Sequence, residues 1–255
     1  MPYTYRHSGC LGDVIYSLPV IQRLGAGELQ LIEGGVPAAI QKYNNGPVPA
    51  AYEGKLSLQE IDMLTPLLEA QSYITRVSLT SDNEPPPDVD LDRFRGTVGQ
   101  SFTGNFLATY FQTFGIPYTD ADIIAPWLTV PSTTRVAKFV ISRTMRYRSS
   151  KTSTIPTWIN LLRDNNIVDD CVFIGLPNEH KDFEETFNVK IPLYTCRDFL
   201  DMAQVIAGCD QFLGNQTFAY GIAQGLGKST ILETLTWRPL HQNECFFPRQ
   251  DCFYF

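Results

Sequence analysis

Residues 7–24 read His-Ser-Gly-Cys-Leu-Gly-Asp-Val-Ile-Tyr-Ser-Leu-Pro-Val-Ile-Gln-Arg-Leu, and Tyr3–His7 leads into them. Tyr3–His7 has the length and make-up of a short strand. Ser8-Gly9-Cys10-Leu11-Gly12-Asp13 is a tight polar turn. Val14, Ile15, Leu18, Ile21 and Leu24 then recur at helical spacing. Gly25-Ala26-Gly27 stops that helix, and Leu29-Gln30-Leu31-Ile32 restarts as a strand. Strand, helix, strand at this spacing is a βαβ unit, which commits the chain to a parallel sheet.

The same pattern continues outward. Leu58–Gln71 reads as an amphipathic helix and Tyr73–Leu79 as a strand. Residues 81–88, with three successive prolines, read as an exposed loop. Val89–Phe94 reads as a strand and Asn105–Phe114 as an aromatic-rich helix. Residues 116–134 lack periodicity and read as a linker, which puts a boundary near Thr133 and gives domains 1–133 and 134–255. In the second half Val136–Ser142 is a buried-type strand, followed by a basic loop. Pro156-Thr157-Trp158 then opens a helix. Cys171–Gly175 is a strand followed by a turn carrying Glu179. Arg197–Gly208 and Gln216–Gly225 are helices around the strand Gln211–Leu213, and Ser229–Glu233 is a last strand. The aromatic tail Phe246–Phe255 must pack on something.

Composition bounds the function. The chain has 255 residues, is 44% hydrophobic and carries a formal charge of −7, with 20 Lys+Arg against 27 Asp+Glu. It has enough apolar content for a sizeable core. Without a clustered basic run it is not built to coat nucleic acid. MPYTYRHSGCLGD lacks the apolar run of a signal peptide, and no stretch reaches the ~18 apolar residues of a membrane span. Six cysteines, none at CxxC spacing, and three histidines that lie near none of them in a ligand pattern make no zinc site. The expected setting is a reducing cytoplasm.

Four features could carry chemistry. Asp13, after Gly12 in the first turn, stands at a helix N-terminus beyond a strand, where open α/β sheets bind ligands. It reads either as an N-cap or as a catalytic carboxylate. Asn215, Gln216 and Thr217 open a helix after Gly214, which reads either as capping or as an anion site for a diphosphate. Arg143, Arg146, Arg148 and Lys151 read as a phosphate-binding loop or a solvated one. Glu179, beyond Gly175, reads as a ribose acceptor or a surface carboxylate. GxGxxG is absent, which disfavours a dinucleotide oxidoreductase. Gly225–Thr230 imitates a phosphate loop but has Ile222 where the first glycine belongs. Asp88-Val89-Asp90, Asp90-Leu91-Asp92 and Asp120-Ala121-Asp122 match the metal-binding D-x-D pattern, but three hits in one acidic chain show how cheap it is.

Taken in order, HSGCLGDVIYSLPVIQRL, the segment Lys138–Leu162, the turn Phe173–Glu179, Phe199–Asp210 and LGNQTFAYGIAQGLGKSTILE resemble the ADP-heptose:lipopolysaccharide heptosyltransferases, glycosyltransferase family 9. The resemblance implies a GT-B fold, two Rossmann-like domains facing across a cleft. It implies an inverting, metal-independent glycosyltransferase of hexosyl- or heptosyltransferase type, with a nucleotide-diphosphate sugar as donor and no further cofactor. The N-terminal half takes the acceptor, with Asp13 as general base. The C-terminal half takes the donor, and the donor-binding residues are Gly12 together with Arg143, Arg146, Lys151, Gly175, Glu179, Asn215, Gln216 and Thr217. The family usually has Asp at Gln216, Gly at Phe218 and His at Gly221, so ADP-heptose is not the expected donor. Compact, divergent chains of this kind are familiar from phage-type genomes, where acceptors include glycans, protein and modified nucleic acid. The rival implied by the departures is a nucleotide- or sugar-binding module that kept the fold and lost catalysis.

Overall fold

The computed structural model describes residues 2–44, 56–81, 83–101, 104–146, 154–234 and 246–255. The chain forms two compact units, Met1–Thr129 and Val130–Phe255. The division falls slightly before the expected Thr133. The reason is that Thr134 N–H donates to Gln204 O (2.9 Å) and Gln204 Nε2 to Ser132 Oγ (2.9 Å), which ties 132–134 to the second unit. No helix among the described residues is long and apolar enough to cross a membrane.

The first unit holds β1 (Tyr3–His7), β2 (Gly27–Ile32), β3 (Ile74–Thr80) and β4 (Val89–Asp90). All pair in parallel, in the order β3-β2-β1-β4. Its helices are α1 (Leu11–Leu24), α2 (Val36–Asn44), α3 (Leu58–Glu69), α4 (Phe94–Ser101), α5 (Phe106–Thr113) and α6 (Asp120–Ile124). Val14, Ile15, Leu18 and Ile21 on α1 are fully buried, as their spacing dictates. Pro19 sits inside α1 and has no N–H to give Ile15 O. The indole of Trp127 supplies the missing donor at 3.1 Å. Residues 116–129 are therefore not a linker: Trp127 and Leu128 are core residues, and α6 lies among them.

The second unit holds β5 (Phe139–Ser142), β6 (Cys171–Ile174), β7 (Leu193–Tyr194), β8 (Gln211–Asn215), β9 (Thr230–Glu233) and β10 (Cys252–Tyr254). Its sheet is parallel throughout, ordered β10-β9-β8-β5-β6-β7. Counted within the unit, this is the 3-2-1-4-5-6 order of the doubly wound sheet, which reverses between β5 and β8. Gly214 leaves no room for a Cβ against Ser142 O, which lets those two strands close up. The helices are α7 (Ile155–Ile159), running on into a π turn at Asn160–Asp164, then α8 (Pro177–Phe187), α9 (Phe199–Gly208) and α10 (Phe218–Gly225). Trp158 is the hub of the core, edge-on to Phe183 at 5.3 Å and to Phe255 at 5.7 Å. Such pairs add about 0.5–1.5 kcal/mol each beyond area burial. The aromatic tail thus packs on this core, and its strand β10 extends the sheet beside β9.

Candidate functional site

In the first unit strand order reverses beside β1, so β1 and β4 flank the point where open α/β sheets take ligands. The turn after β1 delivers Asp13 there. The N-cap of α1 is Cys10, not Asp13. Asp13 occupies the third helical position, and its Oδ2 accepts the Cys10 N–H at 3.3 Å. A carboxylate in the first turn is favoured by the helix dipole by roughly 0.3–1 kcal/mol. Gly12, next to it, has nothing among the described residues within 4 Å of where a Cβ would stand.

The residue that organises this site is Arg95, on α4. Its guanidinium pairs with Asp13 Oδ2 at 3.1 Å and with Asp92 Oδ1 at 3.0 Å, and it donates to Gly9 O. Asp92 also accepts the Ser8 N–H at 2.9 Å. One side chain therefore joins the end of β4, the turn and the start of α1. Burial works against the Arg95 charge, but Asp13 and Asp92 more than offset it and raise its pKa. Burial pushes the Asp92 carboxyl up, against the pull of Arg95 and the Ser8 N–H. The sequence reading missed Arg95 because Val89–Phe94 looked like a strand. The available signal was the Asp92–Arg95 spacing, which places opposite charges on one helical face.

Beneath Asp13 lies a neutral network. Gly9 N–H donates to His7 Nδ1 (2.9 Å), which leaves the proton on Nε2. Nε2–H donates to Tyr110 Oη (2.8 Å), and the Tyr110 hydroxyl donates to Asp13 O (3.0 Å). Burial, with Arg95 nearby, lowers the His7 pKa to about 3. An unfolded His7 titrates near ~6.5. Between those values the unfolded chain binds a proton that the native chain does not, so stability falls as pH falls through this window. We expect the melting temperature to drop from about pH 7 to about pH 5, and to drop less in a His7→Gln variant. Equal pH slopes in the two proteins would contradict a buried neutral His7.

In the second unit the expected donor residues meet different fates. Asn215 is buried at the end of β8; its Oδ1 accepts Thr144 N–H (3.0 Å) and its Nδ2 donates to Thr144 O (2.9 Å). It stitches the exits of β5 and β8 together. Thr217 is the N-cap of α10, accepting Tyr220 N–H at 3.1 Å. Gln216 lies between them, half-buried, at the start of the helix. Arg143 is not a solvent-facing phosphate ligand. It is 4% exposed and forked onto Glu233, with Nε to Oε2 at 2.5 Å and Nη2 to Oε1 at 3.1 Å. Glu233, at the end of β9 and fully buried, also accepts from Thr154 Oγ1 (2.8 Å) and Trp158 Nε1 (3.0 Å). Arg146 is exposed, and Lys151 and Arg148 lie outside the described residues.

Gly175 has φ +141° and sits against Glu179 Oε2, so a side chain there would be strained and crowded. Glu179 belongs to α8 rather than to a turn. It caps that helix by accepting Leu176 N–H at 3.1 Å. Phe218, where the resembled family usually carries Gly, packs its ring on Phe199 at 4.5 Å and anchors α10 to α9. The Gly225–Thr230 stretch links a helix to a strand, and Lys228 Nζ is bound to Ala207 O and Cys209 O. Four of the five D-x-D carboxylates are engaged, by Thr4 (Asp88), Lys42 and Tyr43 (Asp90), Arg95 (Asp92), and Thr119 and Arg23 (Asp122).

No protein-family model matches the sequence, and no curated protein matches it. Solved structures do. A glycosyl transferase family 9 protein from Veillonella parvula DSM 2008 is similar over 99% of this chain and 84% of its own, at 9% identity and TM-score 0.62. The iron-containing dodecameric glycosyltransferase TibC from enterotoxigenic E. coli H10407 is similar over 90% of this chain, at 13% identity and TM-score 0.51; the match spans 57% of TibC. The heptosyltransferase TibC in complex with ADP-D-beta-D-heptose is similar over 98% of this chain and 61% of its own, at 11% identity and TM-score 0.54. Identities this low speak for fold, and the first likeness runs through both units. The chain has the α/β fold of the family 9 glycosyltransferases, the GT-B fold of two parallel-sheet, Rossmann-like units.

Proposed function

We propose that the chain is a glycosyltransferase that moves a sugar from a nucleotide-diphosphate sugar to an acceptor hydroxyl, with inversion and without a metal. The observation that carries this reading is Asp13. It is a partly exposed carboxylate at the carboxyl end of a parallel strand, held by Arg95 in a fold shared with a family 9 glycosyltransferase. Its contacts with Cys10 and Arg95 both fall on Oδ2, so Oδ1 is the oxygen that takes the proton. As the acceptor O–H gives up that proton, its oxygen bonds to the anomeric carbon and the bond to the diphosphate breaks on the opposite face. Arg95 positions the base. In the second unit, the N–H groups opening α10 and Gln216 are the groups this reading assigns to the donor's diphosphate, in line with the general weight of fixed dipoles in catalysis. The Arg143–Glu233 pair, Asn215 and Thr217 hold the loops that shape this end of the sheet.

Those same four residues favour a second reading. Their polar atoms are spent on the protein, as expected of a binding module of this fold that no longer turns over. The two readings separate in one experiment. The chain is melted with UDP, GDP, ADP, CMP and TDP and their sugar conjugates, with and without EDTA. A ligand at about 100 times its Kd adds about 2.7 kcal/mol, or several degrees. The transferase reading expects one EDTA-insensitive shift and a transferred sugar; the module reading expects the shift without transfer. A flat screen defeats both. Gln216→Ala should shrink the shift, and an unchanged shift would remove the α10 terminus from the donor site.

A further inference from the structure

The first unit contains a cavity of about 560 Å³ whose walls include Arg6, Ser8, Lys42, Tyr43, Asp90 and Asp92. That volume suits a small molecule. Asp13 is not among its lining residues, although Asp92 connects the two places through Arg95. Ser8 is 1% exposed, and its Oγ has no hydrogen-bond partner among the described residues. A buried hydroxyl left unpaired is costly, and it is rare enough in native structures to need a reason.

The rest of the wall says what could satisfy it. Arg6 is already committed to Gln30 Oε1 (2.9 Å) and Pro85 O (2.7 Å), and Lys42 to Asp90 Oδ2 (2.9 Å). Lys42 is thus ion-paired and Arg6 is held by neutral oxygens, while Glu84 joins Asp90 and Asp92 to make three carboxylates in the lining. A carboxylate oxygen accepts more than one hydrogen bond, so these groups retain capacity for hydroxyl donors. An anion would meet net negative walls. A metal is not called for, since no cluster of ligating side chains is found among the described residues. Pro86, Pro87 and Ile32 offer flat apolar surface for the C–H face of a ring.

We propose that this cavity binds a neutral, hydroxyl-rich small molecule, a saccharide or polyol, one of whose hydroxyls pairs with Ser8 Oγ while others donate to Asp90 and Asp92. The binding claim stands without the transferase reading. Such a molecule could come from two sources, as the acceptor of transfer or as an effector, and only the acceptor source rests on that reading.

The test is a ligand-observed NMR titration of the full chain with glucose, galactose, mannose, N-acetylglucosamine, rhamnose and glycerol, with inorganic phosphate as the anionic probe. At least one neutral probe is expected to bind, and phosphate is expected not to displace it. Ser8→Ala should weaken that binding by about tenfold, the upper range for one hydrogen bond. The melting temperature should stay equal or rise, because the variant deletes only an orphaned hydroxyl. Ala38→Leu, which fills the cavity from α2, should abolish binding. With the donor present, an acceptor acquires a sugar and gains mass, whereas an effector is recovered unchanged; either result fits the pocket. The proposal is overturned if no probe binds, if phosphate displaces the saccharide, or if Ser8→Ala binds as tightly as the wild type.

Discussion

Asp13→Ala should lower sugar transfer by about 10²–10⁴-fold, the usual worth of a positioned general base, while nucleotide affinity stays as in the wild type. The separation is the point. In the proposed mechanism the carboxylate acts on the acceptor and has no contact with the donor diphosphate. The alanine also strips one partner from Arg95 and the acceptor from Cys10 N–H, so some loss of stability accompanies it. Asp13→Asn controls for this. An amide keeps a carbonyl for the Cys10 N–H but cannot take a proton from an attacking hydroxyl. Transfer should be lost in both variants, with the amide closer to wild-type stability. If either variant also loses nucleotide binding, Asp13 is a donor contact or only a helix cap. If the amide transfers sugar at the wild-type rate, the base lies elsewhere.

The second large effect is on stability. Glu233→Ala should cost about 3–5 kcal/mol in a denaturant titration, because it removes the forked partner of the buried Arg143 guanidinium and leaves it only the longer contact with Asp182 Oδ2, at 3.8 Å. It also takes away the acceptor for Trp158 Nε1 and Thr154 Oγ1 in the same stroke. Removing both charges is a different experiment. The double variant Arg143→Met/Glu233→Leu should recover much of the loss, since apolar replacements of a buried pair are often neutral. The coupling between the two positions is then read from the double-mutant cycle. A single-variant loss below about 1 kcal/mol would mean that the pair is solvated in solution.

These examples show where the sequence speaks and where it stops. The first βαβ unit is legible because glycines mark both ends of α1 and the apolar positions of α1 fall on one stripe. The helix at Trp158 is legible from its opening proline. Helix α8 was hidden because only Phe183 and Phe187 face the core, and its other residues are mostly charged or polar. Helix α4 was hidden because it is short and contains Gly96, so Leu91 and Phe94 read as part of a strand. The Arg143–Glu233 pair was hidden for a different reason. Ninety positions separate the two residues, and only the register of β5, β8 and β9 brings them together. Asp13 was legible as a position, while the arginine that holds it was not.

The proline inside α1 carries an optical consequence. The chain has three tryptophans, and Trp237 lies outside the described residues. Trp127 is buried in the first unit with its indole on a neutral carbonyl, and Trp158 is buried in the second with its indole on a carboxylate. Each unit therefore holds a chromophore in an environment of its own. Emission from Trp127 changes when the first unit opens and Ile15 O is released to water; emission from Trp158 changes when the second does. Substituting one tryptophan at a time by phenylalanine assigns the signals. Whether the intact chain melts in one cooperative step or two then becomes a spectroscopic question, answerable without cutting it in half.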